Sequence, residues 1–95
     1  MNGETREHAP APVEPGFREE ARQLLVVAYE RQVEIWGRVT RMDLGIGAAE
    51  LGLNAERVAA LEDFMEVVGW IEGDPYSANA SRRITPRGLD VLREA

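Results

Sequence analysis

Residues 44–71, LGIGAAELGLNAERVAALEDFMEVVGWI, contain two helix-forming segments separated by a tight turn. Asp43 is a favourable N-cap for the first segment, because its carboxylate can accept hydrogen bonds from the free amide groups of the first helical turn. Gly52 can adopt the left-handed conformation that reverses the chain. Asn54 is the N-cap of a second, longer helix, which ends at Gly69. The stretch therefore predicts a helix-turn-helix.

Both helices of this motif have an apolar face at the helical repeat. The shorter helix, over residues 44–51, carries the stripe Leu44, Ala48 and Leu51. The longer helix carries Val58, Leu61, Phe64, Met65 and Val68. These faces predict that the two helices pack on a shared core, and that Trp70 packs back onto Phe64 or Met65.

A further helix is predicted before the motif, from Phe17 to about Trp36. Its core face consists of Phe17, Ala21, Leu24, Leu25, Ala28, Ile35 and Trp36. A second apolar stripe consists of Val26, Tyr29, Val33 and Trp36. A helix that is apolar on two sides usually has two contacts to make. Either the N-terminal arm or the last helix covers this second stripe, or the stripe is the interface of a homodimer.

Two short β-prone segments follow the motif, at Trp70–Glu72 and Arg82–Thr85. The residues between them are dense in turn formers, so they predict a hairpin with a long exposed loop. Arg38–Arg41 is a possible third, brief strand. Thr85 is a cap that precedes proline at a first helical position, which predicts a last helix up to about Glu94. This helix is expected to bury Leu89 and Leu92.

The N-terminal 15 residues are rich in Glu, Ala and Pro and have little apolar surface to bury. We expect residues 1–15 to be disordered, with a partner-binding arm as the lesser alternative, and residues 16–95 to form one small domain. No apolar run is long enough to span a membrane, and no signal-peptide pattern is present. The expectation is a cytoplasmic protein that does not bind membranes.

Catalytic and metal-binding chemistry has little support in the composition. The chain has no cysteine, and its one histidine, His8, lies in the N-terminal segment. Glu62 and Glu66 share a helix face at i, i+4, but a third ligand is missing, so a solvated face is favoured over a metal site. Ser77 and Ser81 lack a histidine base in the structured region. We expect no enzyme activity, no metal and no cofactor.

Taken together, the motifs resemble a winged-helix domain of the bacterial MarR- and PadR-like transcription regulators. The helix-turn-helix resembles the family pattern at Ala48, Gly52, Leu53, Val58 and Leu61. The ending RRITPRGLDVLREA resembles the second wing strand and closing helix, and the resemblance covers residues 17–95. It implies a mainly α fold with a small β-hairpin, of the α+β class: a three-helix core, a wing and a short C-terminal helix.

The resemblance also implies that the second helix of the motif enters the major groove of double-stranded DNA while the wing contacts phosphate or the minor groove. The candidate DNA-binding residues are Arg38, Arg41, Arg57, Arg82 and Arg83. The chain would then be a small DNA-binding transcriptional regulator that contacts DNA mainly through its wing arginines and is dimeric through Val26, Tyr29, Val33 and Trp36.

Charge makes a different function possible. The formal net charge is −6, and net acidity weakens the attraction to phosphate. The outward face of the second helix is acidic, whereas the corresponding face of a DNA-recognition helix is usually basic. The alternative is therefore a winged-helix protein–protein interaction module, which uses the second apolar stripe or binds a basic protein at Glu56, Asp63 and Glu66.

Overall fold

The computed structural model describes residues 16–39, 41–73 and 82–94, and within these ranges the chain is mainly helical with one small antiparallel sheet. The elements follow in the order α1 (Phe17–Trp36), α2 (Leu44–Leu51), α3 (Ala55–Val67), β1 (Ile71–Gly73), β2 (Arg82–Ile84) and α4 (Pro86–Leu92). The predicted α+β class is confirmed. The predicted disordered tail, at residues 1–15, and the hairpin loop, at residues 74–81, lie outside the described residues.

Side-chain caps start three of the helices at the predicted residues. The Asp43 carboxylate accepts a hydrogen bond from the amide of Gly45 at 3.0 Å, and the Asn54 side chain accepts one from Arg57 at 2.8 Å. The Thr85 hydroxyl accepts one from Gly88 at 3.0 Å. Each bond satisfies an amide group that the helix itself leaves free.

The end of α3 also follows the prediction closely. Gly69 takes the left-handed conformation, with φ of 83°, and its amide donates to the carbonyl of Glu66. The amide of Trp70 donates to the carbonyl of Met65 at 2.8 Å. These two bonds define a Schellman motif. Because the Schellman motif reverses the chain, the Trp70 ring packs edge to face onto the Phe64 ring, with the two centroids 5.5 Å apart.

The core lies between α1, α2 and α3 and is closed by the hairpin and α4. Its largest fully buried side chains are Leu24, Leu25, Leu61, Met65 and Ile71. Phe17 extends the aromatic packing, because its ring meets Phe64 edge to face at 5.4 Å. This arrangement fixes α3 against α1 and leaves the opposite side of α3 facing solvent.

Several predicted core positions are wrong. Ile35 is 52% exposed and Trp36 is 58% exposed, because α1 continues past the core for one turn after Gln32, its last buried residue. Leu51 is also exposed, and Gly47 is buried in its place. In α4 the buried residues are Gly88 and Val91, whereas Leu89 and Leu92 are only half-buried.

A buried glutamine that the sequence pattern did not reveal joins α1 to α2. The Gln32 side-chain amide donates to the carbonyl of Arg41 at 2.6 Å and accepts from the amide of Asp43 at 3.0 Å. Buried polar groups require such partners. Gln32 thus holds the connection between the two helices in place.

The hairpin pairs Ile71 with Ile84 and Glu72 with Arg83 in antiparallel register. A third chain segment joins it through one isolated bridge between Met42 and Arg82, with the Met42 amide donating to the Arg82 carbonyl at 2.9 Å. The strand contact before α2 therefore falls at Met42, directly after the predicted segment Arg38–Arg41, of which Thr40 lies outside the described residues.

Gly47 marks the closest approach of α1 and α2. A Cβ at this position would lie 2.9 Å from the backbone nitrogen of Ala28 and 3.0 Å from the carbonyl oxygen of Leu24. We predict that Gly47→Ala lowers the free energy of unfolding by about 1–2 kcal/mol, because helix separation outweighs the gain of at most ~1 kcal/mol in helix propensity. The measurement is urea denaturation followed by circular dichroism.

Gly45→Ala is the matched control in the same helix. A Cβ at Gly45 would meet only the end of the Asp43 side chain, at 3.2 Å. Its free energy of unfolding should stay within about 0.5 kcal/mol of wild type. Equal losses in the two variants would show that close packing of α1 on α2 is not the cause.

Candidate interaction surfaces

The outer face of α3, defined as its solvent-exposed residues, contains no basic side chain. These residues are Ala55, Glu56, Ala59, Ala60, Asp63 and Val67. Val67 is 79% exposed, the largest exposure among the large hydrophobic residues that the structure describes. Within the described residues, Glu56 and Asp63 have no arginine partner. This face therefore combines two available carboxylates with small and apolar side chains.

Arg57, the only arginine of α3, turns away from this face. Its guanidinium donates to one carboxylate oxygen of Glu20 on α1, from Nε at 2.9 Å and from an η nitrogen at 2.5 Å. It also lies over the ring of Phe17, with Cζ 4.9 Å from the centroid. These contacts attach the start of α3 to α1, and a role of Arg57 in DNA binding stays a prediction.

Arg82, at the start of β2, reaches back to the other edge of α3. Its Nε contacts the carboxylate of Glu66 and lies 3.6 Å from that of Glu62. The Arg82 side chain is 23% exposed. Both carboxylates of the predicted i, i+4 pair are therefore engaged by an arginine of the same chain, and Glu66 is not free for a basic partner.

Arg83 and Arg41 lie on the opposite face of the hairpin from Arg82. Arg83 donates to Glu72, its cross-strand neighbour, at 3.0 Å, and this pair is largely exposed. Since Met42 pairs with Arg82, the antiparallel register places Arg41 opposite Arg83. Opposite residues in such a pair point to the same side of the sheet. By the register of this one bridge, Arg41 falls on the same side of the hairpin as Arg83.

Arg38 and Arg41 are exposed, and neither has a carboxylate partner within the described residues. They differ in this respect from Arg57, Arg82 and Arg83, each of which contacts a carboxylate of its own chain. The five predicted DNA-binding arginines therefore do not form one basic patch. Arg57 lies towards α1, Arg82 towards α3, and only Arg41 and Arg83 share a face.

The second stripe of α1 becomes more exposed towards its C-terminal end. Val26 and Tyr29 are half-buried, Val33 is 39% exposed and Trp36 is 58% exposed. Ile35 adds a further exposed apolar side chain in the same turn. The last turn of α1 is therefore the most concentrated exposed apolar region on this helix.

Two ion pairs at the start of α1 shift pKa values without forming a site. The Arg18 guanidinium donates two hydrogen bonds to Glu94, at 2.9 and 3.2 Å, and these hold the pKa of Glu94 below its usual value. Arg22 lowers the pKa of Glu19 in the same way. Arg18 also lies over the Trp70 ring at 5.2 Å. The Arg18 contacts connect α1 with α4 and the core.

A shallow depression of about 240 Å³ lies between α1 and α2, lined by Val27, Glu30, Arg31, Glu34 and Glu50. Arg31 contacts two of the other lining residues, Glu34 at 2.6 Å and Glu50 at 3.2 Å. No group of three or more metal-ligating side chains comes together within the described residues. The depression thus offers neither a nucleophile with a base nor a ligand set.

Compared with models of known protein families, with curated proteins and with solved structures, the chain matches none. Among the helices that the structure describes, none combines the length and apolar character needed to cross a membrane. Its function is therefore inferred from the charge and exposure of the surfaces described above.

Arg82 and Arg83 give a direct test of which arginines stabilise the fold. We predict that Arg82→Ala lowers the free energy of unfolding by about 2 kcal/mol, because it removes a half-buried charged contact and leaves two like charges on one helix face. Arg83→Ala, which breaks an exposed pair, should change it by less than about 0.5 kcal/mol. Urea denaturation measures both, and a larger loss for Arg83→Ala would contradict the assignment.

Proposed function

We propose that this chain is a winged-helix protein that works as a protein-interaction module. The order of its elements supports the fold: a helix, a short strand contact, two helices, a hairpin and a closing helix. The bridge from Met42 to Arg82 attaches the short strand contact to the hairpin. This is the order that the resemblance to winged-helix regulators implies.

The observation that carries the functional proposal is the outer face of α3. A helix that reads DNA places basic and amide side chains against phosphates and base edges. The face described here presents Glu56 and Asp63 instead, and the nearby Arg57 and Arg82 contact carboxylates of their own chain. The negative charges of these carboxylates repel the negatively charged phosphates of DNA. The same face suits a protein surface that supplies positive charge.

The face also has an apolar contact to offer. Val67 is highly exposed at the end of α3, and Ala59 and Ala60 are exposed beside the two carboxylates. Small side chains allow a partner to approach the helix closely, and protein interfaces commonly surround apolar contacts with charged residues. We infer a partner protein with basic residues around an apolar contact.

A photo-crosslinking amino acid at Ala60 tests this function in cells that produce the protein. Ala60 is exposed on the outer face of α3, and exposed Ala49 on α2 is the matched control. We predict a covalent adduct with another protein from position 60 and none from position 49. Glu56→Arg with Asp63→Arg should abolish the adduct, because reversed charges repel a basic partner.

The charge change needs its own control. Glu50→Arg with Asp90→Arg alters the net charge by the same amount at two exposed positions outside α3. The adduct from position 60 should persist in this variant. If positions 60 and 49 give the same adducts, or if both charge variants lose them equally, the outer face of α3 is not the interaction surface.

DNA binding is the second candidate function, and Arg38 and Arg41 are the observation in its favour. Both are exposed without a carboxylate partner in the described part of the chain, and Arg41 shares a face of the hairpin with Arg83. Exposed arginines that converge can bind phosphate even on an acidic protein. In this case the hairpin side, and not α3, would contact DNA.

Fluorescence anisotropy with a mixed-sequence duplex at low salt separates the two functions. The interaction-module proposal predicts no detectable binding by the folded protein. Binding that weakens steeply with salt, and that Arg41→Ala with Arg83→Ala reduces more than Arg57→Ala does, would establish the second candidate in its place. Arg57→Ala is the control because its guanidinium faces α1.

A further inference from the structure

We propose that a second copy of this chain docks on the second stripe of α1, so that the protein forms a two-fold homodimer. This surface is separate from the outer face of α3, and the inference goes beyond the proposed function. It starts from the position of the stripe. At about 100° per residue, Val26, Tyr29, Val33 and Trp36 lie within about 80° of the helix circumference.

The exposed end of the stripe has no covering element within the described residues. Gln32 is the last buried residue of α1, and the turn that follows exposes Val33 and Trp36 of the stripe. Gly37 then takes a left-handed conformation with φ of 78°, which ends the helix. Exposed large apolar side chains in such a group are typical of an interface.

The stripe suits a second copy because it is complementary to itself. The C-terminal end of the stripe is exposed and carries the large ring of Trp36. At the other end Val26 and Tyr29 are half-buried, so they project less far from the surface than Trp36 does. If two α1 helices pair antiparallel about a two-fold axis, each Trp36 meets the Val26 end of the other copy. Such an interface is isologous, so one contact is made twice.

The charges beside the stripe also permit self-association. At about 100° per residue, Arg22 lies on the same side of α1 as the stripe and Glu30 borders it, so both signs of charge are present. A second copy would meet no single-sign repulsion here. By contrast, two copies that met through the outer face of α3 would oppose the carboxylates of Glu56 and Asp63.

The other segments of the chain are poorer occupants. Residues 1–15 contain only Met1 and Val13 as large apolar side chains. The end of the chain after α4 is tied to the start of α1 by the Arg18–Glu94 ion pair. Neither supplies an apolar surface that matches the exposed turn.

The exposed area of Trp36 indicates how much this residue contributes to the proposed interface. A tryptophan that is 58% exposed leaves on the order of 130 Å² uncovered, against about 800 Å² per partner in a standard interface. Trp36 therefore occupies a substantial share of the contact and is the residue whose loss should matter most. Aromatic residues at the centre of an interface commonly dominate its affinity.

Sedimentation equilibrium of the full chain over a range of concentrations tests the inference. Wild type should show twice the 10.6 kDa chain mass at the higher concentrations. Trp36→Glu should be folded by circular dichroism, because Trp36 is outside the core, and should raise the dimer dissociation constant by roughly 30-fold or more. Val67→Glu is the matched control, since it places the same charge on an exposed apolar position of α3 and should remain dimeric.

Tryptophan fluorescence provides the second measurement on the same samples. Trp70 is buried in the core, so a change in emission with concentration reports on Trp36. The emission should shift to shorter wavelength as the dimer forms, and Trp36→Phe should remove the shift. A wild type that stays monomeric overturns the inference. If Trp36 is also shielded from acrylamide in that monomer, a segment of its own chain covers the stripe.

Discussion

Arg82 connects more of this structure than any other charged residue that the structure describes. Its backbone pairs with Gly73 and with Met42, while its side chain contacts Glu66 and approaches Glu62 on α3. One residue therefore joins the hairpin, the segment before α2 and the long helix of the motif. Because the Arg82 side chain is only 23% exposed, its removal should cost more stability than the loss of an exposed ion pair. The position of the hairpin relative to α3 depends on this contact.

Because of this contact, the hairpin edge of α3 and its outer face differ in charge. The edge that faces the hairpin carries Glu62 and Glu66, whose charge Arg82 offsets, and Arg57 at the start of the helix is held by Glu20. Among the described residues, no arginine offsets the charges of Glu56 and Asp63 on the outer face. Arginines that would bind phosphate in a DNA reader are used here to attach α3 to its neighbours. The acidic outer face is the surface that results.

Local signals account for what the sequence predicted well. The caps Asp43, Asn54 and Thr85 and the Schellman motif at Gly69 involve residues within a few positions of one another, so their chemistry is visible in the sequence. The helix order and the hairpin follow from these boundaries and from the apolar repeat. The clearest wrong prediction is the burial of Ile35 and Trp36, which are exposed. Periodicity shows which face of a helix is apolar, but it does not show how far along the helix its partners extend.

Contacts between distant residues account for the rest. Two ion pairs, Arg82–Glu66 and Arg57–Glu20, join residues on different elements. The buried Gln32 forms hydrogen bonds with Arg41 and Asp43, which lie nine and eleven residues away in the chain. In α4 the close approach of Gly88 to the Trp70 carbonyl orients the helix so that Val91 faces the core. The sequence contains these residues but not the distances that pair them.

Arg57 and Arg82, the arginines beside α3, contact carboxylates of the same chain. We therefore expect that they do not bind DNA. Nitrogen-15 NMR of the arginine Nε–H groups measures this directly, with and without duplex DNA at low salt. Arg57 and Arg82 should show slow exchange with water and no shift on adding DNA, whereas Arg38 and Arg41 should exchange rapidly. Rapid exchange at Arg57 and Arg82, together with DNA-induced shifts of their signals, would contradict the account.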